Sequence, residues 1–214
     1  MVEKTGIPVV GLTVLLAAFM VLIVPLGEAS EGPMESIRTT TERILEVLSD
    51  PDLKGPEKIE ERRNLVREAA EKRFDWGEIA RRSLGRHWRS ISEAERDEFQ
   101  KLLRDLAEGT LLGKLGEYSG EKVTYGGERI DGKYSEIKVK IVSEKSNEIP
   151  LVYRMKESNG DWRVYDVLIE GVSLVNNYRS QFNEILINGS YQDLVKRLED
   201  RVRELREEDA EKES

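Results

Sequence analysis

The spacing of apolar residues predicts helices in the first half of the chain and again at its end. Apolar positions recur about every 3.6 residues over 34–48, and Asp50-Pro51 ends this segment. A strongly charged helix is predicted over 56–73. After Gly171, two further helices are predicted from apolar positions that share one face. The first half of the chain is therefore expected to be helical.

Two capping boxes mark the starts of further helices. Asp75 and Ser92 are each followed three positions later by a glutamate, the pattern that satisfies the free backbone amides at a helix start. The first box predicts a short helix that ends at Gly85. The second predicts a long helix that ends near Gly113 or Gly116.

Two short turn sequences predict β-hairpins in the second half. Asp131-Gly132 and Asn159-Gly160 favour two-residue turns, because type I′ turns need positive φ at both central positions. Each turn lies between segments rich in alternating apolar residues. Four antiparallel strands are therefore predicted, at 121–130, 133–143, 148–157 and 161–170.

The register of the second hairpin follows from its turn. Pairing Ser158 with Asp161 places Met155 opposite Val164. It also places Tyr153 opposite Asp166, and Leu151 opposite Leu168. Both faces of this hairpin are then largely apolar, so both are expected to be covered by other elements.

The first hairpin requires an irregular register. Direct pairing places Val123 and Tyr125 beside lysines, whereas one extra residue at Gly126-Gly127 places Tyr125 opposite Ile137 and Val123 opposite Val139. We therefore predict a β-bulge at the two glycines, which bends the sheet. A bent sheet has a concave face that can form a pocket.

Composition and charge exclude several classes of function. The 214 residues include 34 basic and 42 acidic side chains, a net charge of −8, and they form no concentrated basic stretch. Nucleic acid is therefore not an expected partner. The chain has no cysteine and one histidine, which excludes zinc fingers, iron–sulfur clusters and thiol nucleophiles. No cofactor or metal is expected.

The first 29 residues resemble an export signal. An apolar run extends over 9–24, Pro25 interrupts it, and small residues precede a cleavage site after Ala29. An uncleaved membrane anchor and a buried hydrophobic helix are the alternatives. The predicted organisation is a signal peptide at 1–29, one domain at 30–206 and a charged disordered tail at 207–214.

Few residues suggest catalysis. His87 has no second histidine or cysteine as a partner, and the segment from Gly171 to Val175 lacks the final glycine of a nucleophile elbow. Asp166 opposite Tyr153 is a conceivable acid–base pair in a bent-sheet pocket, as in ketosteroid-isomerase-like folds. A structural, hydrogen-bonded Asp166 is the simpler interpretation. Two interpretations of the apolar faces remain open, a filled core and a cavity for an apolar ligand.

Several motifs resemble the MlaC family, also called the Ttg2-type toluene-tolerance proteins. They include Leu84-Gly85-Arg86-His87-Trp88-Arg89 and, most specifically, Trp162-Arg163-Val164-Tyr165-Asp166-Val167 followed by Glu170-Gly171-Val172-Ser173. The similarity extends over residues 34–198. It implies an exported periplasmic phospholipid carrier that is not an enzyme. The implied partners are phospholipid, an inner-membrane ABC transporter complex with a substrate-binding subunit, and an outer-membrane lipoprotein complex.

The resemblance also sets the expected fold and binding site. It implies an α+β fold in which a curved four-stranded antiparallel sheet, an NTF2-like cone with added helices, encloses an apolar cavity. Acyl chains are expected inside and the head group in solvent. The alternative function is an NTF2-like small-molecule enzyme that uses Asp166 and Tyr153. The expected lipid-binding residues are Ile79, Leu84, Trp88, Phe99, Leu103, Leu106, Val139, Ile141, Leu151, Tyr153, Val164, Leu168, Val175, Tyr178 and Phe182.

Overall fold

The computed structural model describes residues 31–112, 120–142 and 148–212. The predicted signal peptide and the predicted end of the long helix at Gly113 or Gly116 lie outside these residues. The described elements are α1 (Pro33–Ser49), α2 (Ile59–Glu71), α3 (Trp76–Leu84), α4 (Glu93–Leu112), β1 (Lys122–Asp131), β2 (Tyr134–Val142), β3 (Glu148–Ser158), β4 (Asp161–Ile169), β5 (Val172–Ser173), α5 (Leu174–Asn188) and α6 (Tyr191–Lys212).

The predicted helices are present, and one of the two capping boxes is complete. Ser92 and Glu95 exchange hydrogen bonds, the Ser92 amide donating to Glu95 Oε2 at 2.7 Å and the Glu95 amide to Ser92 Oγ at 3.3 Å. Asp75 caps α3 by accepting from the Glu78 amide, but the Glu78 carboxylate binds Arg81 and Arg82 instead of the cap backbone. Arginines close to Glu78 thus replace half of the predicted box.

Two helix boundaries differ from the predicted ones. The charged helix begins at Ile59, because residues 56–58 form a 3₁₀ turn, and it ends at Glu71. Helix α6 is helical to Lys212 and so extends into the segment that we predicted as a charged tail. Of the described helices, none is long and apolar enough to cross a membrane.

The sheet is antiparallel with the strand order β1-β2-β3-β4-β5, so the prediction of four strands is wrong by one short strand. Glu170 and Gly171 have φ values of 51° and 83°, and this left-handed pair turns the chain back on itself. Val172 and Ser173 consequently pair with Ile169 and Leu168. A two-residue strand carries no period-two pattern, which is why the sequence did not reveal it.

The predicted bulge in β1 is confirmed, with a different register. The pairing shifts between Tyr125 and Gly127, and Tyr125 pairs with Val139 rather than with Ile137. Val123 likewise pairs with Ile141. The turn occupies Gly132 and Lys133, because Asp131 pairs with Tyr134, and this moves the register by two residues without exchanging the faces. A glycine at the first central position is the preference of a type II′ turn, not of the type I′ turn that we predicted.

The second hairpin is confirmed only next to its turn. Ser158 pairs with Asp161 and Met155 with Val164, as predicted. A second bulge then leaves Tyr165 without a paired residue, so Asp166 pairs with Arg154 and Tyr153 with Val167. The predicted pairs of Tyr153 with Asp166 and of Leu151 with Leu168 are therefore wrong. Strand alternation places Tyr153 and Asp166 on opposite faces of the sheet.

The apolar core of the described residues consists of a helical cluster, a sheet cluster and a smaller cluster between α1 and α2. The helical cluster joins α3, α4, α5 and α6, and its centre includes Phe99 and Phe182, whose rings meet edge to face at 5.6 Å. The sheet cluster joins one face of β1–β4 to Ile37 of α1. Phe74 contacts both the helical and the sheet cluster. The sheet thus has α1 on one face, whereas α3 and α5 contact β4 on the other.

Candidate functional site

The face of the sheet beneath α1 is apolar but incompletely covered. Its buried centre includes Ile137, Val139, Met155 and Val164. Around this centre lies a set of side chains that remain half-buried although they belong to the same cluster: Met34, Phe74, Val123, Tyr125, Ile141, Tyr153, Val167 and Ile169. We name the buried centre and this half-buried set together the apolar face. These half-buried side chains keep accessible surface, with which further apolar atoms can make contact.

Tyr153 is a half-buried member of the apolar face that carries a polar group. Burial raises the pKa of Tyr153 to about 12, yet the side chain keeps some accessible surface. No hydrogen bond to its hydroxyl is present among the described residues. The phenol of Tyr125 is a polar neighbour of Tyr153 and also raises its pKa.

Helix α1 covers the apolar face through one buried side chain and through contacts at the rim of the sheet. The Met34 amide donates to Glu128 Oε1 at 2.8 Å, and the Arg38 guanidinium lies 4.5 Å from the centre of the Tyr125 ring. Burial is the main cause that raises the pKa of Tyr125. Ile37 is the α1 side chain buried most deeply in the cluster, at 2% exposure. Ile37 thus packs on the buried centre, whereas the contacts of Met34 and Arg38 lie at the rim.

The predicted lipid-binding residues are divided between the helical and the sheet cluster. Seven are buried in the helical cluster, with Trp88 and Tyr178 packed against it: Ile79, Leu84, Phe99, Leu103, Leu106, Val175 and Phe182. Five belong to the sheet cluster: Val139, Ile141, Leu151, Tyr153 and Val164. Leu168 is half-buried on the opposite face, because the bulge at Tyr165 exchanges the faces of β4. Sequence reasoning missed Val167 and Ile169, which occupy the places predicted for Asp166 and Leu168.

Asp166 has a structural role on the face opposite to Tyr153. It is 5% exposed and accepts hydrogen bonds from Ser173 Oγ at 2.7 Å and from the Val175 amide at 3.2 Å. Arg154 donates to it at 3.4 Å. Ser173 in turn caps α5 by accepting from the Asn176 amide. The aspartate of the W-x-x-Y-D motif and the serine of the E-G-V-S motif thus attach α5 to β4.

The pair required by the alternative enzyme is therefore not formed. Tyr153 lies in the apolar face, and Asp166 is bonded to the start of α5 on the other side of β4. His87 contacts Asn183 at 3.1 Å and has no second histidine beside it. Within the described part of the chain, no three His, Asp or Glu side chains are grouped so that they could hold a metal ion.

A cationic groove, which sequence reasoning did not identify, runs between α3, α5 and β4. It consists of two adjoining clefts of about 360 Å³ each, which share Asn176 and Arg179. We name it the arginine groove; its lining residues are Arg81, Arg82, Leu84, Gly85, Arg86, Arg154, Tyr165, Asp166, Val175, Asn176, Arg179, Ser180 and Asn183. The sequence shows no sign of this groove, because the chain has a net charge of −8 and the arginines of the groove come from separate segments.

The arginine groove is held in shape by its own contacts. The Arg82 guanidinium lies 4.2 Å from the centre of the Tyr165 ring. Glu78, which is 9% exposed, accepts from both Arg81 and Arg82 at 2.7–2.9 Å. Burial opposes ionisation of Glu78, but these hydrogen bonds outweigh it and lower the pKa of Glu78 to about 2. The carboxylate therefore remains charged at neutral pH.

Comparison with known proteins gives a consistent result. A sequence model of the MlaC protein family matches residues 38–200. The intermembrane phospholipid transport system binding protein MlaC of Haemophilus influenzae is 25% identical over 171 residues, which cover 78% of this chain and 79% of that protein. The toluene tolerance protein ttg2D of Pseudomonas putida is 24% identical over 183 residues, with coverages of 82% and 81%.

A solved structure shares the fold. The phospholipid-binding protein from Ralstonia solanacearum, determined in complex with a phospholipid, superposes with a TM-score of 0.72. The match covers 82% of this chain and 99% of that chain at 24% sequence identity. Because the family model spans more than half of the sequence, the chain belongs to the MlaC family.

Proposed function

We propose that the protein is a periplasmic phospholipid carrier that binds lipid by its acyl chains. Membership of the MlaC family supports this function, as do the names of its relatives in Haemophilus influenzae and Pseudomonas putida. The shared fold with a protein that was solved with a bound phospholipid gives further support. The predicted NTF2-like cone remains part of this proposal.

The observation that carries the proposal is the incompletely covered apolar face. Half-buried apolar side chains surround a buried centre, and the hydroxyl of the half-buried Tyr153 has no hydrogen-bond partner among the described residues. Apolar atoms from a ligand would complete the packing there without any directional bond. Acyl chains have the required chemistry. The five predicted residues of the sheet cluster, joined by Val167 and Ile169, are accordingly the proposed lining.

The energetics of acyl-chain burial favour release that depends on partners. Each buried methylene contributes about 0.8 kcal/mol, so twenty of them give about 16 kcal/mol before ordering costs. Spontaneous dissociation against such a loss is slow. We infer that lipid passes between an inner-membrane ABC transporter complex and an outer-membrane lipoprotein complex when the carrier docks on each. The head group remains in solvent in this proposal.

Export to the periplasm is the second element of the proposal. The apolar run over 9–24 and the small residues before Ser30 support a signal peptide that is removed after Ala29. N-terminal sequencing of the exported protein is expected to begin at Ser30. Retention of Met1 would instead support the membrane-anchored alternative.

An uptake assay tests the binding face. The delipidated protein is incubated with vesicles that contain a fluorescent phospholipid, and the lipid that remains with the protein after separation is measured. Ile141→Asp places a charge on the half-buried apolar face and is expected to abolish most uptake, because a carboxylate is costly among acyl chains. Thr124→Asp is the matched control, since Thr124 is exposed on the neighbouring strand and the charge change is the same.

The two variants distinguish a specific face from a general charge effect. Uptake by Thr124→Asp is expected to equal that of the original protein, and circular dichroism verifies that both variants are folded. Equal uptake by Ile141→Asp would remove the apolar face from the proposal. If the original protein took up no lipid, carriage itself would be contradicted.

A further inference from the structure

The arginine groove contains guanidinium groups that the described structure does not neutralise. Arg81 and Arg82 share Glu78, and Arg154 is paired with Glu136 and Asp166. Arg179 has no ion pair or hydrogen bond within the described residues, and the Arg86 side chain has only a 3.4 Å contact with His87 Nε2. These two arginines bring positive charge that is free to meet an anion.

The groove is preorganised at its centre. An added Cβ at Gly85 would lie 2.9 Å from Nε of Arg179, so the Arg179 side chain lies against backbone that has no side chain. Gly85 has a φ of 56° and ends α3, a conformation that favours glycine. The junction of α3 with the following turn thus gives Arg179 its place between the two clefts.

The form of the groove favours one class of partner. The two clefts adjoin at Asn176 and Arg179, and Ser180 and Asn183 add further hydrogen-bonding side chains. An elongated cationic groove with amide groups suits an extended peptide that carries carboxylates. A planar anionic membrane surface is disfavoured, because the arginines line a recess and the chain as a whole carries a charge of −8.

We propose that the arginine groove is a docking surface for an acidic, extended segment of a partner protein. This inference rests on the proposed function, because a carrier that holds lipid tightly must dock in order to release it. Arg86 and Arg179 meet the carboxylates of the partner, while Asn176 and Asn183 bond its backbone. The groove lies on the face of the sheet opposite to Tyr153, so docking and lipid binding use separate surfaces.

A binding experiment with a defined probe tests the docking surface. The probe is a fluorescein-labelled peptide in which glutamate alternates with serine, and a second peptide has glutamine in place of every glutamate. Fluorescence anisotropy measures binding to the full chain. The double variant Arg86→Gln with Arg179→Gln is expected to bind the acidic peptide about tenfold more weakly. Arg129→Gln, an exposed arginine on β1, is the control and is expected to bind like the original protein.

Salt and competing anions complete the design. Binding is expected to weaken as NaCl is raised from about 0.1 M to about 1 M, because the Debye length falls from about 10 Å to about 3 Å. The glutamine peptide is expected not to bind. Inorganic phosphate and vesicles of anionic phospholipid are tested as competitors, and neither is expected to displace the peptide at matched negative-charge concentration.

Several outcomes would overturn the proposal. These are absence of peptide binding, equal binding by the double variant, or displacement by phosphate or vesicles, which would assign the groove to small anions or to membrane contact. Lipid uptake by the double variant is measured in parallel. Uptake that is retained while peptide binding is lost supports the docking surface. Failure of the original protein to take up lipid would count against the proposed function, and the peptide result would still report on the groove.

Discussion

The two faces of the sheet differ in the kind of contact that they make with the helices. The face beneath α1 is apolar, is held at its rim and contains half-buried side chains around Tyr153. The face toward α3 and α5 is fixed by directional contacts, with Asp166 bonded to Arg154, Ser173 and the α5 backbone. The apolar contacts of the face beneath α1 can be replaced by other apolar contacts, because they have no fixed geometry. The contacts of the face toward α3 and α5 cannot be replaced in this way, because each buried polar group needs its partner.

This difference shows how a single thin sheet can bind a ligand and still keep its shape. In the proposed function, acyl chains take the place of apolar contacts on one side, whereas the hydrogen bonds of Asp166 keep α5 attached on the other. The bulge at Tyr165 produces the division, since it moves Asp166 and Leu168 away from the apolar face and brings Val167 and Ile169 into it. Substitutions on the two faces should therefore separate stability from lipid binding.

The largest effect on stability is expected from Asp166→Ala. The substitution leaves Ser173 Oγ and the Val175 amide without their acceptor and removes one of the two carboxylates at Arg154. Loss of a buried charged partner is expected to lower the free energy of unfolding by about 3 kcal/mol. Urea unfolding monitored by circular dichroism measures the change. Asp161→Ala, at an exposed ion pair with Arg163, is the control and should change stability by less than about 0.5 kcal/mol.

Lipid uptake by Asp166→Ala tests the difference between the two faces of the sheet. In urea-free buffer, at a temperature where the variant is folded, uptake is expected to persist, because the apolar face is unchanged. A variant that is as stable as the original protein but takes up no lipid would place Asp166 in the lipid-binding site and contradict the division of the two faces.

A smaller effect is expected from Glu78→Gln, and it depends on pH. The pKa of Glu78 in the folded protein is about 2, below its ordinary value of 4.5. A lowered pKa in the folded state gives stability that is present above pH 4.5 and is lost as the pH falls toward 2. At pH 7 the original protein is expected to be more stable than the variant by about 2 kcal/mol, since Arg81 is partly exposed.

Urea unfolding of both proteins between pH 7 and pH 2 measures this linkage. The difference between them is expected to shrink below pH 4.5 and to vanish near pH 2. A difference that is constant with pH would show that the carboxylate acts by its shape and not by its charge.

The smallest effect on stability is expected from Tyr153→Phe. The hydroxyl has no hydrogen-bond partner within the described residues, so its removal leaves no group unsatisfied. The free energy of unfolding is expected to change by less than about 1 kcal/mol in the lipid-free protein. Thermal unfolding measures it. A loss of several kcal/mol would mean that the hydroxyl is bonded and that the space beside it is already filled.

The sequence predicted elements better than it predicted pairing. Caps such as Ser92 with Glu95 and the Asn159-Gly160 turn act locally, so their residue types were sufficient. The bulge at Gly126-Gly127 was also predictable, because lysines would otherwise face apolar residues. The bulge at Tyr165 was not predicted. The register without it placed Asp166 on an apolar face, but a hydrogen-bonded carboxylate was an acceptable interpretation there, and the other face of β4 is also largely apolar.

The candidate sites were also predicted only in part from the sequence. Family motifs identified the importance of Asp166 and Ser173, but only the fold shows that they attach α5 to β4. The periodicity of apolar residues predicted apolar faces, but it did not show that Val167 rather than Leu168 lies on the apolar face. The arginine groove depends on α3, α5 and β4 meeting in space, and no single segment of sequence carries a signal for it.

The most direct test of phospholipid carriage is the lipid content of the protein as it is exported. The protein is purified from the periplasm without detergent, extracted with organic solvent and analysed by lipid mass spectrometry, with phosphorus measured per protein chain. Phospholipid is expected in stoichiometric amount, and Ile141→Asp is expected to carry much less than Thr124→Asp. A protein that carries no phospholipid, and takes up none from vesicles, would contradict the proposed carrier.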